Sequence, residues 1–191
     1  YLLARSALPG RRIIRGLVTL PLVLPPVVGG IALQTALGTT TPIGTVLQHF
    51  GIVLPFSTAG AAIAEAFVGF PFLVITVEAG LRQRDDHFEQ VAATLGARPW
   101  RRLWQVTLPL AAPSIAAGAA LCWARALGEF GATITFAGSY PGTTETLPIA
   151  AYSSFEGTGQ VGTAITLSLV LLAISIVVLV VLRDRWLGAL R

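Results

Sequence analysis

Lysine and methionine are absent from this 191-residue chain, cysteine occurs once, and charged side chains make up only 12% of it. Each absence excludes something. With no lysine there is no G-x-x-x-x-G-K-[ST] phosphate loop, so any ATP the protein uses must be hydrolysed by another chain. With no methionine, Tyr1 is not a translation start; the chain reads as a fragment or processed form, and no signal peptide can be judged. The lone Cys122 sits in an apolar run, which removes a disulfide framework and leaves a small buried hydrophobe. A soluble domain carries about 25% charged residues. Half that value, with 54% hydrophobic residues and a mean hydropathy of +0.75, makes lipid the expected solvent.

What is present is long apolar runs. Crossing the hydrocarbon takes about 20 mostly apolar residues in a helix, and four stretches qualify, at about 17–37, 59–81, 108–136 and 161–182, with a charged loop at 82–107. Residues 1–4 look like the tail of a further span. Of the thirteen basic residues, all arginine, Arg125 lies within a span and the other twelve sort by segment. Residues 1–16 hold four (Arg5, Arg11, Arg12, Arg15) and residues 38–58 none; residues 78–107 hold five (Arg82, Arg84, Arg98, Arg101, Arg102) and residues 128–160 none; the tail holds three (Arg183, Arg185, Arg191). That alternation is the positive-inside pattern of a multi-pass membrane protein whose opening stretch is cytoplasmic. The net charge of +4 is therefore spent on topology, and a nucleic-acid site is not expected. The expected class is an all-α membrane protein, a polytopic transmembrane helix bundle.

The spans are not uniform. Pro21, Pro25 and Pro26 crowd the inner half of the first, where each removes a backbone donor and bends the helix. Gly29 and Gly30 then permit close helix contact. Val18-Thr-Leu-Pro-Leu22 recurs as Val106-Thr-Leu-Pro-Leu110, which reads as a shared start signal for helices leaving the cytoplasmic side, or else as an internal duplication. Arg125 and Glu129 lie one turn apart at the outer end of the third stretch, either as a gate or as an ion pair that holds packing. Glu65 reads as a snorkelling interfacial acid rather than a proton relay. Glu78 and Arg82 read as a helix-end salt bridge of small value. Ser114, Ser168 and Ser175 have no base nearby and read as packing hydroxyls. His49 and His87 fall on opposite sides of the membrane and cannot share a metal.

The loop at 82–107 is the anomaly. Asp85 and Asp86 can cap a helix, and Asp86-x-x-Glu89 has capping-box spacing. Phe88, Val91, Ala92 and Leu95 come next at i, i+3, i+4 and i+7, which gives one narrow apolar face. Gly96 is placed for a left-handed C-terminus. Pro99 can open a second short helix with Trp100, Leu103 and Trp104 on one face, and Pro109 can begin the next span. An interfacial elbow anchored by Trp and Arg and a partner-binding helix both fit.

The stretch resembles the cytoplasmic loop of the permease subunits of ATP-binding-cassette importers, whose pattern is Glu-Ala-Ala, three residues, Gly, and later I-x-L-P. Gly96 and Val106-Thr-Leu-Pro109 match in spacing. Gln90-Val91-Ala92 stands in the Glu-Ala-Ala place with the acid one position earlier, at Glu89. Leu20-Pro-Leu-Val-Leu-Pro-Pro-Val-Val-Gly29, the run Ala124–Gly138 containing Gly128-Glu-Phe-Gly131, and Thr146-Leu-Pro148 are similar to molybdate permeases over nearly the whole chain. Sulfate and thiosulfate permeases share the Gly-Glu-Phe-Gly element and less of the chain after it.

The resemblance implies the small ABC-importer permease fold with a cytoplasmic coupling helix at 85–97, made by Glu89, Gln90, Val91, Ala92, Ala93, Gly96 and Ala97, with Pro109 opening the next span. It implies a translocation path or gate around Arg125, Glu129, Phe130, Gly131 and Thr133, and an outer segment 128–160 facing a vestibule. The implied partners are ABC ATPase subunits that bind ATP and Mg, an extracytoplasmic oxyanion-binding protein, and a second copy of the chain, since one bundle this small cannot enclose a pathway. No cofactor or metal is expected in this chain, and the expected location is the prokaryotic cell membrane. A secondary transporter or channel would need intramembrane ionisable residues for coupling ions, and the midplane is almost free of them. An intramembrane enzyme would need a nucleophile–base or metal constellation, and the spans offer none.

Overall fold

The computed structural model describes residues 9–83, 87–157 and 160–188, with side chains through 180. Expectations for residues 1–4, Arg5, Arg84, the Asp85–Asp86 cap and Arg191 fall outside the described residues, as do the side chains of Arg183 and Arg185. Every described regular element is helical. In order these are α1 (Arg11–Thr19), a 3-10 turn (Leu20–Leu22), α2 (Pro26–Leu37), α3 (Pro42–His49), α4 (Thr58–Arg82) and α5 (His87–Thr94). Then come α6 (Pro99–Arg102), a π turn (Leu103–Thr107), α7 (Leu108–Leu127), α8 (Gly131–Phe136), α9 (Leu147–Glu156) and α10 (Val161–Gly188).

Three described helices are long and apolar enough to cross a membrane: Thr58–Arg82, Pro99–Leu127 and Val161–Val180. The stretch 17–37, expected as one bent helix, is divided. A 3-10 turn ends α1, Val23 to Pro25 are non-helical, and Pro26 opens the 12-residue α2. Consecutive prolines explain it: Pro26 pushes Pro25 to ψ 137, off the helical region. The stretch 108–136 is likewise interrupted, since α7 stops at Leu127 and α8 restarts at Gly131. Pro109 lies in the first turn of α7 as expected, but no break precedes it. From Pro99 to Leu127 the chain forms one continuous helical rod, and the π turn just before Pro109 widens the helix where the ring would otherwise press on the carbonyl four residues back.

Helices α4 and α7 run antiparallel and meet through glycines. A Cβ on Gly69 would lie 2.7 Å from the Cys122 carbonyl oxygen, one on Gly118 would lie 3.1 Å from that of Leu73, and one on Gly80 would collide with Ser114. Small residues of this kind let backbones approach where lipid supplies no hydrophobic drive between helices. Side-chain caps start two helices: Thr41 Oγ1 accepts the Gly44 N–H at 3.0 Å, and Ser57 Oγ accepts the Gly60 N–H at 3.0 Å. The apolar core lies toward the end of the bundle whose connecting segments lack arginine, where Leu33 of α2, Ala64 and Val68 of α4, and Ala132 and Phe136 of α8 close on Leu54.

Contacts between distant segments agree with the arginine count. Arg15 meets Glu78, which joins two arginine-rich segments. The Phe56 N–H donates to the Phe136 carbonyl at 3.3 Å and Thr58 Oγ1 to the Thr143 carbonyl at 3.0 Å, which joins two segments without arginine. Only 6% of the apolar window of α10 is buried within the chain, so lipid or another protein must cover the rest.

Candidate functional site: a short exposed helix tied to a membrane-spanning rod

The expected amphipathic helix is α5, which starts later than the 85–97 stretch because residues 84–86 are not described. Its end is a complete Schellman motif. The Gly96 N–H donates to the Ala93 carbonyl and the Ala97 N–H to the Ala92 carbonyl, both at 3.0 Å. Gly96 has φ +81, and a Cβ there would meet nothing within 4 Å. The requirement for glycine is thus one of backbone conformation, not of space.

No residue of α5 is buried. Phe88, Val91 and Leu95 are exposed, Leu95 to 82%, and Gln90 and Ala93 lie open beside them, while Ala92 is half-buried. The apolar stripe of this helix faces away from its own bundle. Trp100 and Trp104 pack edge to face at 5.6 Å and are exposed as well. Arg101 Nε donates to Gln105 Oε1 at 2.8 Å along the same surface.

The inner side of α5 is polar. Glu89 is half-buried, and its Oε1 accepts a hydrogen bond from Thr107 Oγ1 at 2.9 Å. Thr107 is 3% exposed and ends the π turn. Pro109 is exposed in the first turn of α7. Nothing in the sequence announces the Glu89–Thr107 pair, because its partners are 18 residues apart and in different elements.

A second polar cluster is larger than its sequence spacing suggests. Glu78, 5% exposed, receives Arg82 as expected (Nη2 at 2.7 Å), but Arg15 Nη2 also lies 2.7 Å from the same oxygen and Arg11 Nη2 3.7 Å from it. The local i, i+4 spacing reveals one partner; the other two come from α1, whose arrival depends on the tertiary fold.

At the other end of the rod, Arg125 Nη1 lies 2.9 Å from Glu129 Oε2, and Glu129 Oε1 accepts the Ala132 N–H at 2.9 Å. Glu129 is 1% exposed and so does two things at once, pairing with the end of α7 and capping the start of α8. The sequence offers only an acidic residue just ahead of α8 as a hint of this cap, and the i, i+4 pairing with Arg125 masks it. Phe130 lies against Tyr152, ring centroids 4.9 Å apart. Gly131 is pressed on α2: a Cβ there would come 2.8 Å from Pro26 Cβ. Thr133 is fully buried, and its Oγ1 has no hydrogen-bond partner among the described residues. The two apolar motifs at 20–29 and 124–138 are therefore in direct contact. Glu65 lies half-buried within α4. No group of three or more potential metal ligands occurs among the described residues.

The sequence agrees with known proteins along nearly its whole length. The profile of the binding-protein-dependent transport system inner membrane component family matches residues 1–190. A molybdenum transport system permease protein of Mycobacterium tuberculosis is 49% identical over 92% of this chain and 66% of its own length. One from Haemophilus influenzae is 44% identical over 98% of the chain and 82% of its length. A sulfate transport system permease protein of Synechococcus elongatus is 36% identical over 94% of the chain and 63% of its length. The chain thus spans just under two-thirds of the mycobacterial relative. Helical throughout its described elements, membrane-crossing and matched end to end, it belongs to the family of inner-membrane permease components of ABC importers, in the branch that holds the molybdate and sulfate permeases.

Proposed function

We propose that the chain is the membrane-spanning permease subunit of an ATP-driven importer for an oxyanion, molybdate or tungstate in the first place, acting as a homodimer. Helix α5 is the coupling helix. It docks in a cleft of a separate ATPase subunit that binds ATP and Mg, while an extracytoplasmic binding protein delivers the anion to the outer segment. The observation that carries this reading is the outward apolar and small-residue face of α5, closed by the Schellman turn at Gly96 and set on the arginine-rich side. An elbow that only packed on its own bundle would turn that face inward. The higher identity to molybdenum than to sulfate transport permeases supports molybdate as the first anion to test.

The outer cluster acts as a gate, with Arg125, Glu129, Phe130, Gly131 and Thr133 as its parts. Arg125 is already neutralised by Glu129, so it positions α8 rather than holding a passing dianion, which transport must release. ATP-driven closure of the ATPase subunits would favour one access state over the other through their differential affinity for the two.

The test is uptake of labelled molybdate by the reconstituted complex, competed with sulfate, alongside ATP hydrolysis. Gly96→Pro removes the donor to Ala93 and forbids φ +81, so it should abolish uptake while the protein still inserts. Normal uptake by that variant would remove the coupling role from α5. Sulfate displacing molybdate at equal concentration would move the assignment to a sulfate importer.

A further inference from the structure

A short helix that moves can drive a transmembrane rod only if something stiff joins them. Helix α5 lacks buried residues of its own, so side-chain packing ties it weakly to the bundle. The backbone link runs through Gly96, whose surroundings are open. The Glu89–Thr107 hydrogen bond is different in kind. Its acceptor is a carboxylate, its donor is 3% exposed, and it is 2.9 Å long. Charge-assisted bonds shielded from water are the stronger ones.

The position of Thr107 makes the bond directional. The Leu108 N–H reaches the Leu103 carbonyl, five residues back, which closes the π turn. One extra residue in a turn rotates the helix before it by about 100° relative to the helix after it. Thr107 is inside that turn, so its aim at Glu89 depends on the turn being kept. Thr107 also belongs to the single rod Pro99–Leu127, whose far end carries Arg125. From Thr107 to Arg125 is about 27 Å at the rise of an α-helix. Each end of the rod thus holds a short helix by a carboxylate: α5 through Glu89, α8 through Glu129.

We propose that the Glu89–Thr107 bond is the latch by which displacement of α5 is carried into the rod and on to the Arg125–Glu129 end. Thr107 and Glu89 are positioning residues for coupling: they fix the angle between the docked helix and the span, and the π turn is the joint they hold. This inference rests on α5 being the docking element for the ATPase subunit.

The experiment reads transport per ATP in proteoliposomes holding the full chain, its ATPase subunit and its binding protein. Thr107→Val keeps the shape and removes the donor, and Thr107→Ser keeps the donor. Thr107→Val should co-purify with the ATPase subunit and hydrolyse ATP within about twofold of wild type, while molybdate uptake per ATP falls about tenfold, a usual size for a coupling effect. Thr107→Ser should restore most of the ratio; a merely structural hydroxyl would instead lower ATP hydrolysis and uptake together in Thr107→Val and leave their ratio unchanged. Glu89→Ala should lower the ratio too, and the double variant should lose no more than Thr107→Val alone. Should Thr107→Val fail to fold, Glu89→Ala and Thr107→Ser still read the same ratio. A wild-type ratio in Thr107→Val overturns the latch and leaves the docking of α5 intact. Failure of the wild-type chain to bind the ATPase subunit overturns both.

Discussion

Two glutamates invite comparison. In sequence, Glu78 and Glu129 look alike, each in an apolar span with an arginine four residues away. In the fold they differ. Glu78, at the arginine-rich end, has Arg82 and Arg15 at 2.7 Å and Arg11 at 3.7 Å, all half-exposed. Glu129, at the outer end, has one guanidinium and one backbone N–H, both within 3 Å, and is itself out of reach of solvent. The inner end is held redundantly by charge that water can partly screen. The opposite end is held by one ion pair and one backbone hydrogen bond, both to a carboxylate closed to solvent. Under the proposed function, the end that is pulled tolerates the loss of a partner, and the end that gates has discrete bonds to make or break.

The comparison breaks most visibly at Glu129. Glu129→Ala removes the partner of Arg125 and of the N-terminus of α8 together, at a carboxylate closed to solvent. Loss of one partner of a buried charge pair costs about 3–5 kcal/mol, and the lower end applies here because Arg125 is partly exposed. Denaturant titration of the purified chain in detergent should show that loss. Glu129→Gln keeps an acceptor for the Ala132 N–H and should lose about half as much. Equal behaviour of the two variants would mean that the cap contributes nothing.

Glycines sharpen the same contrast, with opposite signs. Gly30, at the outer end, lies against α8, and a Cβ would come 2.7 Å from Thr135 Cβ and 2.8 Å from the Ala132 carbonyl oxygen. Backbone cannot step aside, so Gly30→Ala should destabilise by about 1–3 kcal/mol. Gly16 sits mid-helix in α1 with nothing within 4 Å of its would-be Cβ. Gly16→Ala should stabilise by about 0.5–1 kcal/mol through helix propensity alone. The two substitutions share one chemistry, and the same unfolding assay separates them. A loss of stability at Gly16 would show that α1 is packed more tightly than it is here.

The readability of these features depends on their range. Which segments share an end of the bundle is legible, because arginine content is set segment by segment and Arg15–Glu78 and Phe56–Phe136 then join segments of like arginine content. The Schellman turn is legible at Gly96, since a left-handed C-terminus needs a particular residue at a particular place. The two copies of Val-Thr-Leu-Pro-Leu show where legibility stops. In the first, Thr19 bonds back to the Arg15 carbonyl of its own helix and the chain breaks before Pro26. In the second, Thr107 is buried against Glu89 and the helix runs on to Leu127. The pentapeptide is identical, and its fate is decided by the prolines downstream and by the group across from the threonine. Pairs 18 and 63 residues apart, Glu89 with Thr107 and Arg15 with Glu78, leave no periodic trace and emerge only once helices are placed.

The smallest expected effect is at Arg15, and it tests redundancy directly. Its guanidinium is 49% exposed and bonds the Glu78 oxygen that Arg82 also bonds at 2.7 Å. After Arg15→Gln the carboxylate keeps Arg82, with Arg11 close enough to move in, so no buried charge is stranded. What is lost is one screened, half-exposed pair and the tether it gives α1, about 0.5–1 kcal/mol. The pair spans less than the Debye length but sits where ions reach it, so the difference between Arg15→Gln and the parent should shrink when detergent unfolding is repeated at high salt. At Glu129, sealed from solvent, the penalty should stay where it was. An Arg15→Gln loss as large as that of Glu129→Ala, and insensitive to salt, would mean that the inner end depends on one bond as the outer end does.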